Sequence, residues 1–217
     1  MYKTVVFDLD GTLLNTLTDL ADAGNRLCRK YGWPTHERQA YRYFVGNGIP
    51  KLVERLAPAD QRTTAVLEAA LADFKRDYGQ HLRDTTAPYP GIPEMLAKLK
   101  ANGVQLAVFS NKADALAKEV VKDYFGTQYF TIVRGQMTGV APKPAAEGTN
   151  ALLQALHADP ASTLYVGDSN VDVETAHNAN LPCCGAVWGF RTREELNAAG
   201  AEYLAENSDE LYDVIMK

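Results

Sequence analysis

The residues whose types and spacing suit chemistry begin with two acids, Asp8 and Asp10, which follow the apolar run Val5-Val6-Phe7. If Leu9 continues a strand, both carboxylates point to one face and repel each other. That is costly unless a cation lies between them or one of them keeps its proton. Gly11 then allows a sharp turn. Asp-Gly is also an ordinary turn pair, but a turn does not account for two acids at the mouth of a buried strand. Ser110 ends another apolar run, residues 104–109. With the Asn111 N–H at a helix start it makes a ready anion site, and it would serve equally as a plain helix N-cap. Lys112 is out of place in a simple cap, because a cation there opposes the helix dipole; it points to an anion nearby. Lys143, between Pro142 and Pro144, loses little backbone freedom when positioned, although a loop lysine is most often solvated. Asp168 stands at the end of the apolar run 163–166, and Asp172 follows it where a helix-capping acid would also stand.

The elements that must position these residues read from the spacing of apolar side chains. From residue 91 onward, strands at 104–109, 129–133, 163–166, 183–187 and 203–205 alternate with helices at 93–102, 113–124, 145–156, 172–179 and 192–199, with a last helix from 208. Such alternation predicts an α/β fold, a doubly wound parallel sheet with helices on both faces. Ligands of such sheets sit beyond the carboxyl ends of the strands, where the winding reverses. Asp8, Asp10, Ser110 and Asp168 each follow a different strand end or share one, so they can converge in a single crevice.

Residues 16–84 break the alternation. Apolar positions at helical spacing predict helices over 17–31, 35–44, 50–56 and 60–82, with no convincing strand. The segment is read as an inserted helical domain, 16–84, in a discontinuous core of 1–15 and 85–217. The Pro/Gly-rich stretch 85–91 marks the return to the core.

Composition narrows the function. The chain has 217 residues with 22 Lys and Arg against 27 Asp and Glu, so its net charge of −5 gives nucleic-acid binding no electrostatic support. Three cysteines, two of them adjacent, do not form a disulfide framework and fit buried thiols in a reducing cytoplasm. No apolar run reaches the ~20 residues of a membrane span, and no signal-peptide pattern opens the chain. A cytoplasmic location without membrane association is expected; monomer and homodimer fit equally. Cys184 and Arg191 stand one residue too far apart for the C-x5-R of a cysteine phosphatase, and Gly46-Asn47-Gly48 lacks the strand and the third glycine of a dinucleotide fingerprint.

Four stretches carry a family resemblance. Asp8-Leu9-Asp10-Gly11-Thr12 resembles the DxDGT signature of the haloacid dehalogenase-like phosphatases. Val108-Phe109-Ser110-Asn111-Lys112, Pro142-Lys143-Pro144 and Gly167-Asp168-Ser169-Asn170-Val171-Asp172 are similar to the three motifs that follow it, in the same order. The resemblance implies Asp8 as a nucleophile that becomes an aspartyl-phosphate. It implies Asp10 as general acid/base, kept protonated by its acidic neighbour, Ser110 as a phosphate ligand and Lys143 as the neutralising cation. It implies Mg²⁺ held by the Asp8 and Asp168 carboxylates and the Asp10 carbonyl, with Asp172 behind them, and Thr12 and Asn111 as substrate-binding residues. A dehalogenase of the same superfamily would need neither the metal nor the acid at Asp10.

The helical insert resembles the small cap of the phosphoglycolate phosphatase-like branch, whose cap loop looks like Val45-Gly46-Asn47-Gly48 followed by Leu52-Val53-Glu54-Arg55. Trp188-Gly189-Phe190-Arg191-Thr192 is similar to that branch as well. Asn15-Thr16 departs from its usual Asp-Ser, and the residues after Lys143 from its usual Pro-x-Pro. The resemblance implies a small phosphorylated metabolite, 2-phosphoglycolate, as substrate. Gly46, Asn47, Gly48 and Arg55 are then substrate-binding residues on a cap that closes over the site. Lys51 and Arg55 would equally suit a solvated helix face. A phosphomutase or pyrophosphatase on the same scaffold, and a non-catalytic binding module, are the alternative functions.

Overall fold

The computed structural model describes residues 1–217. In chain order its strands are β1 (Thr4–Phe7), β2 (Leu14–Asn15), β3 (Ala87–Pro88), β4 (Gln105–Ala113), β5 (Phe130–Gln136), β6 (Thr163–Gly167), β7 (Cys183–Ala186) and β8 (Tyr203–Ala205). Its α-helices are α1 (Leu17–Tyr31), α2 (Arg38–Phe44), α3 (Ile49–Leu56), α4 (Thr64–His81), α5 (Ile92–Ala101), α6 (Asp114–Phe125), α7 (Ala146–Leu156), α8 (Asn170–Asn178), α9 (Arg193–Ala199) and α10 (Ser208–Met216). The chain divides into two compact units, Met1–Leu14 with Pro88–Lys217, and Asn15–Ala87.

The first unit is built on a six-stranded sheet in the order β5-β4-β1-β6-β7-β8, parallel at every pairing. Every residue of β1 is buried, as its unbroken apolar run requires at the centre of a sheet covered on both faces. Alternation along β1 sends Val6 to one face, where it joins Phe109, Tyr165 and Cys183 under Leu152 and Leu156 of α7 and Val173 of α8. Val5 and Phe7 point to the other. From β1 the chain winds outward through β4 and β5, then returns to the other side of β1 for β6, β7 and β8. The reversal falls at β1, the strand that carries the paired acids.

Asn15–Ala87 holds α1 to α4 around Leu27, Cys28, Tyr41, Leu52, Leu56, Ala70, Phe74 and Tyr78, all buried. At its two chain ends the Asp19 carboxylate accepts hydrogen bonds from the backbone N–H and hydroxyl groups of both Thr85 and Thr86. Four donors around one buried acid satisfy a charge that would otherwise be expensive to desolvate.

Several boundaries differ from the sequence reading, among them those of the insert, Asn15–Ala87 against 16–84, and two of the differences have a visible cause. Helix α2 starts at Arg38, not near 35, because the Asn25 side chain pairs with both backbone groups of His36 at 2.9 Å and keeps that stretch extended. Strand β4 runs on through Ser110 to Ala113, since β5 continues beside it as far as Gln136. Ser110 therefore lies in a strand and is not the cap of α6. Cys28, Cys183 and Cys184 are free and buried, and no helix is long and apolar enough to cross a membrane.

Candidate active site

Phe7 pairs with Val108 on one side and Val166 on the other. Asp8 and Asp168 therefore leave the sheet at the carboxyl ends of β1 and β6, and Ser110, still within the adjacent β4, lies within two residues of the same register line. Lys143 comes from the loop between β5 and α7, and its ammonium is almost fully buried. It lies 2.8 Å from Asp8 Oδ1 and 2.7 Å from Asp172 Oδ1, and donates to the carbonyl of Phe109 and the Tyr165 hydroxyl at 3.3 and 3.2 Å. The contact with Asp8 is an ion pair without hydrogen-bond alignment, so Asp8 Oδ1 has no donor of its own.

One carboxylate oxygen from each of Asp8, Asp168 and Asp172 lies within 4.8 Å of the others. Burial pushes Asp8 up to about 6, partly offset by Lys143 and reinforced by Asp172. Burial likewise holds Asp168 well above the ordinary carboxylate range, with the charges of Asp172 and Asp8 adding to it. Burial works against the charge of Lys143, but Asp172 and Asp8 outweigh it and keep the ammonium well above its usual range. Four site aspartates thus share two lysines, Lys143 and Lys112. A close-set group of buried carboxylates with a surplus of negative charge and an undonated oxygen fits a hard divalent cation with oxygen ligands.

The glycines around Asp168 show how tightly the site is built. Gly11 has φ +92°, and a Cβ there would overlap the Asp168 carboxylate; one on Gly189 would overlap Asp168 from the other side. The Asp168 carboxylate accepts from Thr12 Oγ1 at 3.1 Å and from the Phe190 N–H at 2.8 Å. Trp188 Nε1 donates to the Thr12 carbonyl at 3.0 Å, which fixes that turn.

Several side chains do work that the sequence does not announce. Thr12, expected to bind substrate, is fully buried and spends its hydroxyl on Asp168, so it braces that carboxylate. The Asn111 amide accepts from the Lys143 N–H at 2.9 Å and donates to the Lys143 carbonyl at 3.2 Å, an embrace that sets the backbone of the lysine and occupies the side chain. Asp172 is both the capping acid and a member of the cluster: Oδ2 accepts from the Ser169 N–H and hydroxyl while Oδ1 pairs with Lys143. Asp10 stands outside the close-set carboxylates. Its carboxylate lies against the buried Lys112 ammonium, 3.0 Å from Oδ1. The anion that Lys112 signals in the sequence is therefore this one. Ser110 is buried, and its Oγ accepts from the Lys112 N–H at 3.3 Å.

Gly46, Asn47, Gly48 and Arg55 belong to the helical unit. Gly46 and Gly48 both have positive φ. The Arg55 guanidinium donates to the carbonyls of Tyr43 and Phe44 at 3.1 and 2.8 Å and to Asn47 Oδ1 at 2.8 Å, so it shapes this loop from beneath. Lys51 pairs with Glu54 on an exposed helix face. Tyr165 carries no motif of its own, and the stretch that holds Trp188 and Phe190 resembles the family branch without assigning either residue a role; the Ser169–Asp172 capping box has a spacing that sequence alone can show.

Residues 5–186 match the family model for haloacid dehalogenase-like hydrolases. A phosphoglycolate phosphatase of Chromobacterium violaceum is 31% identical over 216 residues, covering 98% of this chain and 96% of that protein. One of Neisseria meningitidis is 32% identical over 191 residues, covering 87% and 81%. The crystal structure of a phosphoglycolate phosphatase-like protein from Lactobacillus delbrueckii subsp. bulgaricus superposes with a TM-score of 0.93 at 28% identity, covering 99% of this chain and 98% of that one. On its motifs, its fold and these relatives, the chain belongs to the haloacid dehalogenase-like hydrolase family, in its phosphoglycolate phosphatase-like branch.

Proposed function

We propose that this phosphoric monoester hydrolase cleaves 2-phosphoglycolate to glycolate and inorganic phosphate, with Mg²⁺ as cofactor, in the cytoplasm. The observation that carries the reading is the buried contact set in which Asp8 and Asp168, at the ends of the adjacent strands β1 and β6, meet Lys143 and Asp172.

In the first step a carboxylate oxygen of Asp8 attacks phosphorus. The bond from phosphorus to the glycolate oxygen breaks with its electron pair, and a proton from Asp10 goes to that oxygen. In the second step water attacks the aspartyl-phosphate, giving a proton to Asp10, and the bond to the Asp8 oxygen breaks to restore the carboxylate. Lys143 neutralises charge on the phosphoryl oxygens, and Ser110 supplies a hydroxyl to them. Asp8 and Asp168 would hold the Mg²⁺, with Asp172 behind them, and the ion would supply positive charge to offset that of the phosphoryl group. The helical unit, through the loop of Gly46, Asn47 and Gly48, selects the leaving group.

The test is phosphate release from a panel of phosphorylated metabolites, with Mg²⁺ present. The highest kcat/KM is expected for 2-phosphoglycolate. Equal or faster turnover of sugar phosphates or pyrophosphate would remove the substrate while leaving the chemistry; no phosphate release from any member would remove both.

A further inference from the structure

We propose that Lys112 is a positioning residue for Asp10, fixing the carboxylate that makes both proton transfers. The inference rests on the acid/base assignment of Asp10 made above and extends it to a residue outside the motif that carries Asp10.

The Lys112 side chain is 2% exposed, and its ammonium contacts both oxygens of the Asp10 carboxylate, at 3.0 and 3.2 Å. Contact with both oxygens constrains the direction of the carboxylate and its rotation alike. The stem of the lysine is fixed as well. Its N–H donates to Ser110 Oγ, the next residue pairs with Gln136 of β5, and a Cβ on Gly135 would overlap the Lys112 carbonyl. A rigid strand end thus holds one end of the pair, and Asp10 is the end in the turn. The result is separation: Asp8, Asp168 and Asp172 form the close-set group, and Asp10 is drawn out of it. Its oxygens are thereby kept for proton transfer and away from the cation site. The ammonium also meets the negative charge that Asp10 acquires each time it gives its proton away, and a fixed charge of this kind needs no reorganisation during the step. Stability alone is a poor reason for such a pair, since buried ion pairs are often no better than apolar packing.

The experiment compares Lys112→Met and Asp10→Asn on 2-phosphoglycolate and on 4-nitrophenyl phosphate, each with saturating Mg²⁺. The parameter kcat/KM covers events up to cleavage of the substrate bond, and a nitrophenolate leaves without needing a proton. Asp10→Asn is expected to lower kcat/KM about 100-fold on 2-phosphoglycolate and only about 3-fold on the aryl ester. Lys112→Met is expected to show the same asymmetry at about 10-fold, the scale of a misplaced catalytic group. In both variants kcat falls on both substrates, because water attack also draws on Asp10. Lys112→Gln, which keeps one donor, should recover part of the loss and serves if the Met variant fails to fold. Equal loss of kcat/KM on the two substrates in the Lys112 variants, with Asp10→Asn still asymmetric, would overturn the inference alone. Symmetric loss in Asp10→Asn would instead overturn the acid/base assignment beneath it.

Discussion

Thr12→Val offers a sharp test of how the metal site is braced. Valine matches the shape of threonine and removes only the hydroxyl, and Thr12 is fully buried, so no new exposed surface is created. What is lost is one donor to the Asp168 carboxylate, at 3.1 Å; the shorter bond from the Phe190 N–H, at 2.8 Å, stays. Hydrogen bonds to charged groups contribute about 1.5–3 kcal/mol. Partners behind a metal ligand typically matter by about 10–100-fold in metal affinity. Because one of the two donors remains, the lower end applies, about 10-fold in the Mg²⁺ concentration for half-maximal activity. KM for the phosphate ester at saturating Mg²⁺ should stay within about 2-fold. Phosphate release measured across a Mg²⁺ series gives both quantities, and the Mg²⁺-dependent rise in melting temperature gives the affinity without turnover. A rise in KM with an unmoved Mg²⁺ midpoint would refute the brace and place Thr12 against the substrate.

Three further outcomes are expected. Asp8→Asn should abolish phosphate release while the far-UV circular dichroism of the folded chain is retained; near-normal turnover would rule out the covalent route. Asn111→Ala leaves the buried N–H and carbonyl of Lys143 without partners. It should lower the melting temperature by an amount corresponding to about 2–4 kcal/mol, with kcat reduced more than KM; an unchanged melting curve would contradict the embrace. Arg55→Ala removes the donors that hold the loop. It should raise KM similarly for charged and uncharged leaving groups, whereas a selective loss on 2-phosphoglycolate would show the guanidinium acting on the substrate directly.

The six strands of the main sheet were legible because each contains a short apolar run, and the motif residues because they follow those runs; the two-residue strands β2 and β3 have no such run and were not. The order β5-β4-β1-β6-β7-β8 was not, since periodicity says which face is buried and nothing about which strand lies beside which. The partnerships followed the same division. Ser169 and Asp172 meet within one helical turn, so their spacing announces the contact. Lys112 and Asp10 meet across the sheet, as do Thr12 and Asp168, and no local pattern encodes a contact of that length. Lys112 nevertheless left a trace, a cation where a helix start disfavours one. Asn111, through its N–H, and Thr12 are expected to bind substrate on the family resemblance, and their side chains prove to have protein partners as well. Their bonds to Lys143 and Asp168 could not be inferred before the fold brought those groups into reach.

The Asp19 anchor bears on how this protein can be recombined with its relatives. Both crossings between the units lie within a few residues of it, and its partners Thr85 and Thr86 precede the second crossing. An exchange cut at 16 and 84 would deliver the acid with the donor helix and leave its four hydrogen-bond donors in the recipient, to be matched by chance. An exchange cut outside Asn15–Ala87 carries acid and donors as one cassette. Chimeras of the second kind inherit the seam intact, so a change in substrate preference between such chimeras reports on the transplanted helices and not on a damaged joint.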